Sequence, residues 1–220
     1  EPFSALDGYL RWQLELELAD ELRAFSGGAV LVTHDRDEVH RLAQDVCVID
    51  RGQTEPLVSV RELFARPRTV AAALISGCKN VSRARVVGDC LLACDDWGVT
   101  LACADAPDAR VTHVGIRAHY LMAAPTEPAP AVPAPTGEKG AAPRPAPGAN
   151  RIPCVVERVI DGTFSTIVMA RTPGGALLRY ECEKDAWAAL GGAARVTFGI
   201  APGCVMPLCE GCAKGGGGHA

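Results

Sequence analysis

The chain has 220 residues, 48% hydrophobic, 22% charged and 5% aromatic, with a formal net charge of −4. This suits one or two small globular domains rather than a disordered polymer. Charges of both signs are spread along the chain without a concentrated basic patch, and aromatics are sparse, so no nucleic-acid partner is expected. No apolar run reaches the ~20 residues that span a bilayer, and no charged-then-apolar leader opens the chain.

Residues 9–25 read as a helix, with Leu10, Leu14, Leu18 and Leu22 giving an apolar stripe. Gly27 and Gly28 end it. Residues 29–33, Ala-Val-Leu-Val-Thr, form a short apolar run that predicts a strand buried on both faces of a parallel sheet. A second helix is predicted over 35–43 and a second buried strand over 46–49, followed by a turn at Arg51-Gly52. Alternating helix and strand with short links predicts an α/β layer. Residues 58–76 read as two helical pieces broken at Pro67. From Asn80 the pattern changes to short strands separated by Gly, Asp and Pro, which predicts a small barrel or sandwich. Eight of the 16 prolines fall within 121–150, a composition that predicts an extended spacer. Strand patterning resumes at 152–160, 163–170, 176–183 and 195–200, with a short helix over 184–190.

Ten cysteines are present. Most sit singly in apolar runs, as Cys47 does between Val46 and Val48, and read as small buried hydrophobes with reduced thiols. Cys204, Cys209 and Cys212 are closer together. Their spacing could serve zinc with His219 as a fourth ligand, but a structural zinc site takes two ligand pairs on ordered turns, so no metal is expected there.

Glu1-Pro2-Phe3-Ser4-Ala5-Leu6-Asp7, then a helix, a predicted strand and Thr33-His34-Asp35 form a joint pattern. It resembles the stretch after the Walker B strand of ABC-type ATPases, with the switch histidine at the end of the next strand. The resemblance implies that Glu1 activates the attacking water, that His34 contacts and senses the γ-phosphate, and that Ser4 and Asp7 belong to the loop facing a second subunit across bound ATP. Each residue also has a plainer reading: Glu1 a solvated carboxylate, His34 a satisfied polar residue, Asp7 a helix cap. The joint arrangement sets those aside. No Gly-x-x-x-x-Gly-Lys-Ser/Thr phosphate loop occurs in the chain. The chain is therefore expected to be a fragment, inactive by itself, of a protein that uses ATP and Mg2+.

Ser76-Gly77-Cys78-Lys79-Asn80-Val81, Val114-Gly115-Ile116-Arg117 and Phe164-Ser165-Thr166 resemble the C-terminal regulatory domain, TOBE or MOP-like, of importers for molybdate, sulfate and related oxyanions. The implied fold is a P-loop NTPase-like α/β segment followed by a small, OB-like all-β barrel. The expected boundaries are 1–76 for the ATPase portion, 77–124 and 151–208 for the two parts of the barrel, 125–150 for the linker and 209–220 for a tail. Ser76, Lys79, Asn80 and Ser82 offer donors suited to a tetrahedral dianion; they could equally form a polar turn. The resemblance implies an energy-coupling subunit for oxyanion uptake, molybdate first. It would be peripheral on the cytoplasmic face of the membrane, pair with a second copy of itself and dock on permease subunits, with a periplasmic or lipid-anchored solute-binding protein as an indirect partner. The alternatives are a stand-alone oxyanion-binding module and an ATPase subunit importing sulfate, iron or a sugar.

Overall fold

A computed structural model describes residues 7–126 and 150–211. The chain divides after Gly77 into two compact units, one within residues 7–77 and the other Cys78–Glu210.

The first unit runs α1 (Gly8–Ala24), α2 (Arg36–Leu42), β1 (Asp45–Val46), β2 (Ile49–Asp50), β3 (Gln53–Thr54), β4 (Val58–Ser59), α3 (Val60–Ala65) and α4 (Val70–Ile75). Each of its four helices starts at a side chain that accepts from first-turn N–H groups: Asp7, Asp35, Ser59 and Thr69. Such oxygens satisfy donors that a helix leaves orphaned at its start. β1 pairs antiparallel with β4, and β2 with β3. The β2–β3 turn carries positive φ at both Arg51 (48°) and Gly52 (76°), the geometry of a two-residue hairpin that matches strand twist. A small core of Val48, Leu63 and Ala72 holds these pieces together.

The predicted parallel α/β layer is not formed among the described residues. Residues 29–33 are not a strand, and Val30 and Val32 are 94% and 68% exposed. A strand needs a neighbour for its backbone groups, and the strands present are two residues long and antiparallel. The leucine stripe of α1 is also displaced: its buried residues are Glu15 and Ala19.

Among its described residues the second unit is all-β apart from short helical turns. In chain order it has β5 (Asn80–Gly88), β6 (Leu91–Cys94), β7 (Val99–Ala102), β8 (His113–Ile116), a 3-10 turn (Ala118–Tyr120) and β9 (Met122–Pro125). Then come β10 (Asn150–Asp161), β11 (Ser165–Arg171), β12 (Leu177–Glu183), α5 (Lys184–Ala188), β13 (Arg195–Ile200), a second 3-10 turn (Pro202–Cys204) and β14 (Met206–Leu208). These elements form two antiparallel sheets, ordered β14-β8-β5-β6-β7 and β12-β11-β10-β13-β9. The halves repeat one another. Asn80 pairs with Ile116 as Asn150 pairs with Ile200. Each half also gives its last strand to the other: Met122 of β9 lies opposite Gly199, and Met206 of β14 lies opposite Gly115.

This corrects the expectation of a small closed barrel. A barrel closes on its own strands, whereas here each half exports its fifth strand. The result is two open sheets sharing one core, in which Trp97, Leu92, Leu101, Ile116, Ile152, Leu178, Phe198 and Ile200 are fully buried.

Two polar devices join the halves. The Asn80 amide donates to the Arg179 carbonyl (2.8 Å) and accepts from the Arg179 N–H (2.7 Å). Asn150 does the same with Ala102, at 2.8 and 2.6 Å. In addition, the β6–β7 turn meets the β11–β12 turn. The Gly174 N–H donates to Trp97 O (3.0 Å) and the Ala176 N–H to Asp96 O (3.3 Å). A side chain at Gly98 would stand 2.6 Å from the Gly174 nitrogen, so only glycine fits there. The Asp96 carboxylate accepts from the Arg83 N–H (2.7 Å) and from its guanidinium (2.8 and 3.0 Å).

Replacing Asn150 with Ala leaves the Ala102 N–H and C=O without their partner, at a cost of about 1–3 kcal/mol; Asn80→Ala is expected to cost a similar amount. Denaturant unfolding of each variant checks this. The Arg83 guanidinium, first through its hydrogen bonds, holds the Asp96 carboxyl below its ordinary value. A carboxyl with a lowered folded pKa adds stability above its unfolded pKa and loses it as pH falls through the folded value. Asp96→Asn should therefore destabilise the chain at neutral pH, and the difference from the native chain should vanish in acid.

Candidate functional site

Asp7 and His34, the described members of the expected catalytic set, lie just before α1 and α2; Glu1 and Ser4 lie outside the described residues. The Asp7 carboxylate accepts from the N–H groups of Tyr9 (3.1 Å) and Leu10 (2.9 Å). Asp35, next to His34, accepts from Asp37 (2.8 Å) and Glu38 (3.3 Å). The Thr33 hydroxyl accepts from the Asp35 N–H (2.9 Å) and donates to Glu38 (2.5 Å), which is 4% exposed. Residues bonded on either side thus fix the backbone of His34, while its side chain is exposed.

Two ion pairs join the helices: Arg11 with Asp35 (3.6 Å), and Arg41 with Glu15, whose side chain is fully buried. They fall in the same order along both helices, so α1 and α2 run in the same direction. Asp7 and His34 therefore share one end of the pair. Burial works to raise the Asp35 pKa, but the Asp37 and Glu38 N–H groups, with Arg11 and Arg41, outweigh it and hold the carboxyl below its ordinary value. Both helix starts are thus capped by carboxylates of the chain itself, Asp7 and Asp35, and the exposed His34 stands beside them.

The anion-binding candidates are placed differently. Ser76 is buried at the end of α4, its hydroxyl donating to Ala73 O (3.1 Å). In β5, Asn80 and Ser82 are buried, while Lys79, just before it, is exposed. Asn80 is used by Arg179, and Ser82 donates to Arg83 O (2.9 Å) and accepts from Asp96 N–H (3.1 Å). None of the four lines the cleft of about 400 Å3 formed by His119, Leu121, Ser165, Tyr180, Glu181, Cys182 and Glu183. Two carboxylates on that lining disfavour a dianion. Cys204 sits in the second 3-10 turn and Cys209 just after β14, while Cys212 and His219 lie outside the described residues. Among the described residues no group of three His, Cys, Asp or Glu side chains is placed to hold a metal ion. No helix among them is long and apolar enough to cross a membrane.

Arg11, Glu15 and Arg41 were not foreseen as site residues. The available signal was a glutamate standing beside Leu14 in a leucine-rich helix.

No family model matches the chain. Its curated homologues are ATP-binding subunits of ABC importers. The sn-glycerol-3-phosphate import ATP-binding protein UgpC of Cereibacter sphaeroides is 36% identical over 131 residues, 58% of this chain and 36% of that protein. UgpC 3 of Agrobacterium fabrum is 30% identical over 182 residues, 81% of this chain and 48% of that protein. The Fe(3+) ions import ATP-binding protein FbpC of Haemophilus influenzae is 39% identical over 77 residues, 35% of this chain and 22% of that protein. The chain thus spans at most about half the length of these relatives. A solved structure of the cytoplasmic molybdate-binding protein ModG, with molybdate bound, superposes at a TM-score of 0.42 with 16% identity, covering 59% of this chain and 94% of that one. That overlap is too loose to define a shared fold.

Asp7→Asn keeps an N-cap acceptor and should leave the stability of the chain unchanged, whereas Asp7→Ala should cost about 1 kcal/mol. Thermal unfolding followed by circular dichroism separates the two.

Proposed function

We propose that this chain is the C-terminal part of the ATP-binding subunit of an ABC importer, the end of its ATPase domain followed by a β-rich regulatory unit. The observation that carries this reading is the placement of Asp7 and His34 at the shared end of two paired helices. The identity of 30–39% to import ATP-binding proteins supports it. In the complete subunit Glu1 orients and activates the water that attacks the γ-phosphate, and His34 donates to charge developing there. Ser4 and Asp7 face a second copy of the subunit across the nucleotide. The phosphate loop and the ligands of the Mg2+ that accompanies ATP are not among the residues of this chain. Two such subunits close beneath permease subunits at the cytoplasmic face of the membrane, with a solute-binding protein delivering cargo from outside.

The cargo we propose is an oxyanion, with molybdate the first to test. This part rests on the resemblance around 76–81 and 114–117. The relatives are named for glycerol 3-phosphate, ferric ions and spermidine or putrescine, and so share no single solute.

Two measurements test the reading. The purified 220-residue chain should turn over no ATP above background; turnover would show catalytic machinery that the sequence does not contain. Calorimetric titration with molybdate, against sulfate and phosphate, tests the cargo: saturable heat for molybdate over sulfate would make the β-rich unit an anion sensor. Silence with all three would remove the anion from the β-rich unit and leave the ATPase assignment standing.

A further inference from the structure

We infer that Arg11, Glu15 and Arg41 are positioning residues for His34: a two-tier ionic clamp between α1 and α2 that sets where the imidazole stands relative to Asp7. The inference rests on the ATPase reading for its purpose, but not for its geometry.

The upper tier is Arg11 with Asp35, the residue directly after His34. Arg11 lies in the opening turns of α1, which Asp7 caps, so this pair links the two loop ends. The lower tier is Glu15 with Arg41. The Glu15 side chain is fully buried, and its second oxygen, Oε1, has no hydrogen-bond partner. A buried carboxylate held through one oxygen depends on its cation: without Arg41, the charge would be left in a poorly solvating site, and α1 and α2 would have to part or turn to admit water. Either movement carries α2 and the segment before it. His34 follows because its neighbours are bonded into α2, Thr33 through Glu38 and Asp35 through its cap to Asp37 and Glu38. A leucine pair at these positions would join the helices too. The charged pair instead fixes one register, since an ion pair in low dielectric tolerates little displacement.

The test reads the His34 ring in the 220-residue chain by NMR, its resonance assigned among the five histidines by His34→Gln. Glu15→Gln and Arg41→Gln should each shift that resonance, and the charge-reversed double variant Glu15→Arg, Arg41→Glu should bring it back. Val48→Ala, which thins the small core of the same unit, should lower stability without moving the ring. If Arg41→Gln does not fold, Asp35→Asn serves: asparagine caps a helix as aspartate does but weakens the pair with Arg11, and it should shift the ring as well. A His34 resonance unmoved in folded clamp variants, or moved as far by Val48→Ala, would overturn the clamp. No nucleotide enters this assay, so its failure is separate from failure of the ATPase reading, which is judged on hydrolysis.

Discussion

Asn80 and Asn150, each opening a long strand, both use the donor and the acceptor of their amide on the backbone of the opposite half. A buried primary amide is tolerated only when its groups are matched, and a matched one has a single allowed seat. The partners are backbone atoms of β12 and β7, the outer strands of the two sheets. Each asparagine therefore stops an edge that would otherwise present unpaired groups. It also registers one half against the other. With the halves so placed, β9 and β14 reach across and the two cores merge into one. The stacked turns at Trp97 and Gly174 complete the same relation from the far end.

The first unit is organised by charge rather than by apolar packing. Its hydrophobic core is small, and Tyr9, Trp12, Phe25, Val30 and Val32 are exposed. The α1–α2 pair is held by Arg11–Asp35 and Glu15–Arg41, with caps at both helix starts. The same contacts that hold the pair bring the Asp7 and His34 ends together. Stability and the arrangement of the site are here one set of interactions, so changes distant from the site in sequence can alter its geometry.

Local structure was legible where local chemistry decides it. Helices over 9–25 and 35–43 appear as Gly8–Ala24 and Arg36–Leu42, because Asp7 and Asp35 are strong caps; α1 ends at an extended Phe25, two residues before the expected Gly27-Gly28 stop. The Arg51-Gly52 turn has the conformation its glycine suggests. Non-local pairing was not legible. The apolar run at 29–33 reads as a buried strand, but hydrophobicity does not supply a hydrogen-bonding neighbour, and the segment is exposed. The leucine stripe gave the period of α1 but not its buried side, which an ion pair with Arg41 decides. The internal repeat leaves only a faint mark in the sequence: Gly115-Ile116 followed by Leu121-Met122, and Gly199-Ile200 followed by Val205-Met206. The exchange of strands it encodes turns an expected barrel into two open sheets. In the sequence Asn80 is a polar residue near a junction, and nothing there shows that its partner is the backbone of Arg179.

The proposed role of His34 is to act on the γ-phosphate. The most direct measurement is ATP hydrolysis by the complete subunit, assembled with its permease partners, comparing the native protein with His34→Ala. Loss of a preorganised donor to developing charge lowers turnover by roughly a hundredfold or more, and the account expects that loss with nucleotide binding retained. Turnover unchanged by the substitution would contradict it.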